Sequence, residues 1–364
     1  MAYGVPSIDS TAAELYSTYS DDLCNGIDGV LHDKTTDLAA CLRADARRFA
    51  AYKAHYVETA VKNLLNDEKT PAEQRQANAE RAMRTFQRWG QTERNYAVQS
   101  TQMAEKWQEF EKDGDRYLLQ YRTAHDEKVR ATHAALHNTT LPPSDPFWDE
   151  YYPPLGWNCR CTVVQVRRGK YPASDSSTSI ANGRAATEKT PSFRFNPGKQ
   201  RKCFPDNVSY LKHAGANRKE RETTEWNCET IAHKSIKSIS KQHPLLQESF
   251  ECDINGSKQA VRFAYWGISE TAYSMLGKKN LYWLKNEVLN NPEKYFKNAK
   301  YISEAEVDLS HNTGKTLKLK KKFKKYYYSE ITLANGIKAF LNIVLHEDGN
   351  YYLYTISKNI TTYE

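Results

Sequence analysis

Four side chains that can bind a metal lie close together in the middle of the chain: His133, His137, Cys159 and Cys161. Imidazole nitrogens and thiolate sulfurs are donors that zinc prefers, so the set predicts a Cys2His2 zinc site. Only one residue separates the cysteines, however, whereas structural zinc pairs usually enclose about two to four. The alternative interpretation is that His133 and Asn158 hydrogen-bond to buried backbone groups while the cysteines fill a tight core.

The same residues also contain the two parts of a nucleophile and base pair. Cys159 or Cys161 supplies a thiol, and His133 supplies a base. Nothing in the sequence places an oxyanion hole or a third, orienting group beside them. The sequence therefore does not favour a cysteine hydrolase.

A second chemical feature is a basic strip further along the chain. Residues 315–325 read KTLKLKKKFKK and run directly into three tyrosines. Cations beside aromatic rings suit a phosphate backbone with stacked bases, which predicts contact with DNA or RNA. Alternation of leucines with lysines also fits an amphipathic edge strand that charge protects against pairing. The predicted nucleic-acid-binding residues are Lys318, Lys320, Lys321, Lys322, Lys324 and Lys325.

The elements that must position the four donors begin with helices. Residues 11–126 are rich in Ala, Glu, Gln, Arg and Lys and almost free of Gly and Pro, which predicts helices with a break at residues 66–71. On a helix, Asp126, Arg130, His133 and His137 share one face because they are spaced at four, three and four residues. We expect Asp126 and Arg130 to form an ion pair one turn apart.

Aromatic residues and prolines fill the segment between the histidines and the cysteines. Trp148 and its neighbours are expected to pack as a lid, which Pro153 and Pro154 stiffen by fixing φ. Cys159 and Cys161 then alternate with polar residues, which predicts a strand with both thiols on one face.

The order of these residues resembles the head-morphogenesis domain of bacteriophage Mu F-like minor head proteins, most clearly over residues 86–166 and more loosely over 191–210. The resemblance implies a minor component of a phage or prophage head that acts in head assembly or DNA packaging. It implies portal and capsid proteins as partners, and a location in the host cytoplasm during assembly and in the virion head. The residues that carry the motif are Asp126, Arg130, His133, Trp148, Pro153, Pro154, Asn158, Cys159 and Cys161.

Composition divides the chain. Residues 1–225 hold 19 Arg and 13 Lys, whereas residues 226–364 hold 1 Arg and 19 Lys. This change in basic residues indicates that residues 226–364 form a separate module. We predict a helical arm over residues 1–80, the Mu F-like domain over 81–210 with a flexible loop at 169–191, and an α+β module over 226–364. In that module, a helix at 281–289 precedes strands at 326–333, 337–345 and 351–356, with turns at Asn335-Gly336 and Asp348-Gly349. The fold class is therefore α+β.

The module also looks like the domains appended to phage polyvalent proteins and to Mu F-type toxins, which are similar to barnase/RelE-type ribonucleases. This second resemblance implies a metal-independent ribonuclease with a general base, a general acid and cationic stabilisation of the phosphate. It offers an alternative function, a polymorphic toxin. The candidate catalytic residues are Lys278, Lys279, Tyr327, Lys338 and His346.

Bulk properties exclude few classes of function. The net charge of +8 is spread over 52 basic and 44 acidic residues, so it favours an anionic partner without proving one. No run of about eighteen apolar residues predicts a membrane span, and no secretory signal is evident. Seven cysteines, an odd number, favour reduced thiols. Apart from zinc, no cofactor is predicted.

Overall fold

In the computed structural model the chain forms two compact units, residues 1–224 and 225–364. The structure describes residues 6–207, 210, 218–274, 276, 279–310 and 312–360. The predicted α+β class is confirmed, because long helices dominate the first unit and a six-stranded sheet organises the second. In the described part of the chain, every helix is too short or too polar to cross a bilayer.

Three long helices build the frame of the first unit: α1 (Ala12–Asp28), α2 (Asp37–Leu65) and α3 (Ala72–Asp113). Thr11 and Glu14 close a capping box at the start of α1, and the Thr36 hydroxyl caps α2. The predicted break at 66–71 is confirmed, whereas the break between α1 and α2 was not predicted. Along these helices, apolar side chains on one face pack into a shared core.

A small antiparallel sheet follows α3, in the strand order β2-β1-β3. Its strands are β1 (Tyr117–Arg122), β2 (Thr140–Leu141) and β3 (Thr162–Arg167). The prediction of helix up to residue 126 is therefore wrong over its last part. Helix α3 ends at Gly114, which has a positive φ of 55° that favours glycine, and Leu119 and Tyr121 are fully buried in the next strand.

Four short helices follow in the described residues up to 207: α4 (Ala131–Ala134), α5 (Phe147–Glu150), α6 (Ser176–Ala186) and α7 (Pro197–Gln200). The segment 169–191, predicted as a flexible loop, contains α6. Asp175 caps this helix through its side chain, and Gly183 lies so close to the Tyr151 ring that a Cβ there would fall 2.4 Å from it. This close packing requires small residues. The same small residues had led the composition of residues 169–191 to predict a loop with little to bury.

The helices predicted as a separate arm belong to the same compact unit as residues 81–210. The ring of Phe49, in α2, stacks on the ring of Phe204 at 3.8 Å, and the Asp45 carboxylate accepts the backbone N–H groups of Cys203 and Phe204 at 2.9 and 2.8 Å. These contacts join positions more than 150 residues apart, which local sequence patterns do not report.

The second unit is a six-stranded sheet with the strand order β4-β5-β9-β8-β7-β6, in which all neighbouring strands are antiparallel except β5 and β9. Both predicted hairpin turns are confirmed, and a third hairpin turn, at Asn255-Gly256, joins β4 to β5 and was not predicted. The strands are β4 (Ser249–Ile254), β5 (Ser257–Phe263), β6 (Lys300–Ala305), β7 (Phe323–Thr332), β8 (Lys338–His346) and β9 (Tyr351–Ser357).

The helix Arg218–Ile239 contains the division between the units. Further helices of the second unit are Tyr265–Tyr273, Lys279–Asn290, Pro292–Lys297 and Gly314–Lys320. The predicted helix at 281–289 is thereby confirmed. The basic strip does not form an edge strand: its first part is the helix Gly314–Lys320, and β7 lies between β8 and β6 inside the sheet.

Candidate functional site

Three donor side chains meet in the first unit. The Nδ1 atom of His133, in α4, lies 3.8 Å from the Sγ atom of Cys159 and 3.8 Å from that of Cys161. The donor atoms of all three residues lie within 4.8 Å of one another, and each residue is only 3% exposed. The cysteines stand just before β3, where buried and exposed residues alternate, so both thiols face the same side.

The aromatic and proline-containing segment of residues 148–157, called the connector below, holds this cluster against α3. Trp148 and Tyr152 are completely buried, and the Tyr152 hydroxyl donates a hydrogen bond to the Met103 carbonyl at 3.0 Å. Pro153 and Pro154 are buried as well, joined by a cis peptide bond. The connector's large rings pack in the same buried core as Cys159 and Cys161.

The predicted charged helix face around His133 is wrong, because residues 126–130 are not helical. The Asp126 carboxylate instead accepts hydrogen bonds from both terminal nitrogens of the Arg160 guanidinium, one of them at 2.6 Å. This bidentate pairing lowers the pKa of Asp126 to about 2, and hydrogen bonding to Arg160 is the main cause. Arg130 donates to the Trp157 carbonyl at 2.7 Å. Both arginines thus brace the backbone on either side of Cys159.

His137 does not join the donor cluster, so the predicted four-residue metal set is wrong in this member. Its Nδ1 atom lies 3.1 Å from the Thr123 hydroxyl, and its Nε2 atom lies 2.7 Å from that of His125. Partial burial, followed by the neighbouring His125, lowers the pKa of His137. The cause of the error is the short α4, which ends at Ala134 and turns the chain before His137.

Hydrogen bonding in the cluster shifts the pKa values of the two thiols in opposite directions. Hydrogen bonds from Cys161 and then from His133 hold the pKa of Cys159 well below its usual value, while the bond to Cys159 and burial raise the pKa of Cys161. Burial, together with the two cysteines, also raises the pKa of Tyr121 well above the usual value. Cys159 is therefore the more acidic of the two thiols.

A groove of 1180 Å³ flanks the cluster between α3 and residues 158–162. Gln99 donates to the Cys161 carbonyl at 3.0 Å, and Lys106 donates to the Thr162 hydroxyl at 2.8 Å. These two α3 side chains anchor the Cys-x-Cys segment from the side opposite to α4, and sequence analysis did not identify them. Their signal was weak because polar residues on a long helix usually face solvent.

Among the candidate catalytic residues of the second unit, the side chains that the structure describes do not converge on one site. Lys278 and the Lys279 side chain lie outside the described residues. Lys338 and His346 occupy opposite ends of β8, about 26 Å apart at roughly 3.3 Å per residue, so they do not share one site. Lys338 pairs with Glu330 at 3.0 Å, and His346 lies 3.2 Å from Asp348. Tyr327 is 9% exposed inside the sheet.

The basic strip is only partly available to an anion. Lys322 pairs with Glu347 at 2.8 Å, and Lys325 pairs with Glu304. Lys318, Lys321 and Lys324 are exposed, whereas Lys320 is half-buried. The three tyrosines that follow are each less than 10% exposed, so they offer no open rings for base stacking. The predicted combination of cations with stacking aromatics is thus reduced to cations alone.

A buried lysine in the second unit was not predicted. Lys285 is completely buried in the helix Lys279–Asn290 and donates to the carbonyl and the hydroxyl of Ser274. Burial lowers its pKa to about 7, against the opposing influence of Glu270 and Glu229. The run Lys285-Asn286-Glu287 carries no apolar residue although all three side chains are buried. A pattern based on apolar residues therefore could not reveal that this part of the helix is buried.

Comparison with known proteins gives a consistent result for part of the first unit. Residues 52–164 match the family model described as Phage Mu protein F like protein. The chain is 32% identical over 108 residues to the "Putative capsid assembly protein F" of Escherichia phage Mu, which covers 22% of this chain and 25% of that protein. It is 32% identical over 89 residues to the "Mu-like prophage FluMu F protein" of Haemophilus influenzae, with 22% of each chain covered. No solved structure matches the chain.

These matches place a Mu F-like region in the first unit. The matched region begins in α2 and ends in β3, so it contains α3, the connector and the three donors. It starts upstream of residues 81–210, the range predicted for the domain. The family-model match ends before residues 225–364 begin. The chain spans about a quarter of the length of the relatives it matches.

Proposed function

We propose that this chain is a minor head protein of a phage or prophage that acts in head morphogenesis and DNA packaging through its first unit. The observation that carries the proposal is the match over residues 52–164, since one matching relative is named a capsid assembly protein. Portal and capsid proteins are the proposed partners. The proposed location is the host cytoplasm during assembly and then the virion head.

The geometry supports an assembly role more than catalysis. The connector buries its tryptophan and tyrosine rings, and Arg130 and Arg160 fix the backbone around the buried Cys159, where Asn158 and Arg160 are exposed. A site held on rigid elements presents one defined surface to a partner, which lowers the entropic cost of binding. Among the described residues near the thiols, no further base or acid completes a hydrolytic set around Cys159 and His133.

The test is complementation in the phage or prophage that encodes the chain. A host carrying the genome without this gene is supplied with the full chain, and DNA-filled heads are counted by electron microscopy. We expect few filled heads without the chain and normal numbers with it. The triple variant Lys318→Ala, Lys321→Ala and Lys324→Ala is the control for the second unit and should restore filled heads. Normal packaging in the absence of the chain contradicts the proposal.

A second proposal concerns residues 225–364: Lys318, Lys321 and Lys324 bind the phosphate backbone of nucleic acid without reading its bases. It is supported by their exposure on one short segment and by the burial of the adjacent tyrosines. Each phosphate contact contributes a slope of about −0.9 to log affinity against log salt for duplex DNA. The triple alanine variant of the full chain should therefore lose about two to three units of slope.

The ribonuclease alternative is distinguished in the same samples. Full chain and the His346→Ala variant are incubated with labelled RNA, and the products are separated by size. Binding without new fragments supports the phosphate-contact proposal. Cleavage by the full chain that His346→Ala abolishes supports the toxin interpretation instead, and growth arrest on expression of the full chain would accompany it.

A further inference from the structure

We infer that His133, Cys159 and Cys161 form a zinc site that fastens α4 to the segment before β3. The three donors approach one another from two parts of the chain, 26 and 28 residues apart, and converge through the same histidine nitrogen. Each of the three residues is 97% buried. Two sulfurs and an imidazole nitrogen are the donor types that select zinc among the common divalent ions.

The distances fit such an ion. With Zn–S bonds of about 2.3 Å and a Zn–N bond of about 2.0–2.1 Å, a tetrahedral site places sulfur and nitrogen about 3.6 Å apart and two sulfurs about 3.8 Å apart. The Nδ1 atom of His133 lies 3.8 Å from each sulfur, and the whole donor group fits within 4.8 Å. Each sulfur–nitrogen distance is therefore only about 0.2 Å longer than a bound zinc ion requires.

The surrounding contacts hold the ligands in place. Arg130 fixes the carbonyl of Trp157, two residues before Cys159, and Gln99 fixes the carbonyl of Cys161 itself. Arg160, between the two cysteines, is clamped by the Asp126 carboxylate. Outer contacts of this kind orient metal ligands and raise metal affinity, because the ligands lose little freedom on binding. The Cys-x-Cys spacing, unusual for a structural zinc pair, is thereby fixed by three side chains outside the motif.

Solvent supplies the fourth ligand in this proposal. In the described part of the chain, no fourth His, Cys, Asp or Glu joins the three donors, and His137 is turned towards Thr123 and His125. A small opening reaches the donors from the surface. Its volume of 10 Å³ is close to the smallest that holds one water molecule, roughly 10–15 Å³. His133, Cys159 and Cys161 all line this opening.

The test is the metal content of the full chain, purified under reducing conditions from cells grown with zinc and measured by elemental mass spectrometry. We expect about one zinc per chain in the wild type, and less than about a tenth of that in Cys161→Ser and in His133→Ala. His137→Ala is the matched control, since it removes a neighbouring histidine that the geometry leaves out, and it should keep the metal. Zinc-free wild type, or equal loss in His137→Ala, overturns the inference.

A second measurement covers variants that fail to fold. Wild-type protein is stripped of metal with a chelator and titrated with cobalt(II), which reports thiolate ligation by a charge-transfer absorption. We expect that absorption to saturate at about one equivalent of cobalt and to disappear on addition of zinc. Absence of the absorption, or a disulfide between Cys159 and Cys161 in protein kept reduced, overturns the inference. Head assembly is not measured here, so failure of this inference leaves the proposed function standing.

Discussion

The ammonium group of Lys53 in α2 lies 2.6 Å from a carboxylate oxygen of Glu93 in α3, and the side chains are only 1% and 7% exposed. Lys53 also donates to the Phe86 carbonyl at 3.2 Å, and the Tyr210 hydroxyl donates to Glu93. If one partner of a charge pair buried this deeply is removed, the other charge has neither a counter-charge nor water to solvate it.

Removing one partner of this pair should destabilise the first unit strongly. We expect Glu93→Gln to lower the free energy of unfolding by about 3–5 kcal/mol, since it leaves the Lys53 cation buried and uncompensated. Denaturant unfolding of the full chain measures the change. Lys53→Met combined with Glu93→Leu should recover most of the loss, because no charge then remains.

The control for this prediction is Glu80→Gln on the same helix. Glu80 lies 3.8 Å from Arg84 and both side chains are largely exposed, so we expect a change below about 0.5 kcal/mol. Equal losses in Glu80→Gln and Glu93→Gln contradict the prediction.

The second prediction concerns the close packing of Gly198 against Trp107. Gly198 in α7 lies so close to Trp107 that an added Cβ would fall 2.3 Å from the Trp107 Cβ atom. Gly198→Ala should therefore cost about 1–3 kcal/mol or more through overpacking, measured as the shift in the denaturant midpoint. Lys199→Ala, which removes the cation 4.8 Å above the same ring and its partly exposed ion pair with Asp149, should cost less than about 1 kcal/mol. The reverse order of the two effects argues against steric contact as the cause.

The third prediction concerns the tie between α2 and residues 203–204. The Asp45 carboxylate is 8% exposed and accepts two backbone N–H groups, so Asp45→Ala strands buried donors and should cost about 2–4 kcal/mol. Limited proteolysis should then cut the full chain near these residues, where the wild type resists. Asp206→Ala, at a carboxylate that is 72% exposed, is the control and should leave the digestion pattern unchanged.

The fourth prediction is a dependence on pH that Lys285 introduces. Burial lowers its pKa in the folded protein to about 7, below the usual 10.5, so unfolding takes up a proton between these values. Its contribution to stability therefore becomes more favourable as pH rises from about 7 to about 10.5, and its penalty is fully present below about 7.

Lys285→Met isolates this contribution. We expect the variant to unfold at a higher temperature than the wild type near pH 6, with the difference shrinking as pH rises. Calorimetry of the full chain across this range measures it. Lys258→Met, at a side chain that is 78% exposed, should show no such trend. A difference for Lys285→Met that stays constant with pH refutes the assignment.

Local patterns predicted most elements whose cause is local. The Asn-Gly and Asp-Gly turns of the second unit were predicted correctly because they require positive φ, and Gly336 and Gly349 have φ values of 82° and 84°. The helix break before Ala72 followed from Pro71. The same logic failed at residues 117–130, where composition favoured a helix but buried pairing of β1 with β2 and β3 decided the structure.

By itself, the sequence determined the α+β class, the hairpins of the second unit, and the region that resembles Mu F-like proteins, because each is written in spacing or in residue order. Only the tertiary structure decided that His133 meets Cys159 and Cys161 while His137 turns away, that Asp126 pairs with Arg160, and that Lys338 and His346 stand apart. Those outcomes depend on which distant side chains pack together. Periodicity describes how a residue relates to its nearest turns of chain and contains no information about the partner that arrives from elsewhere.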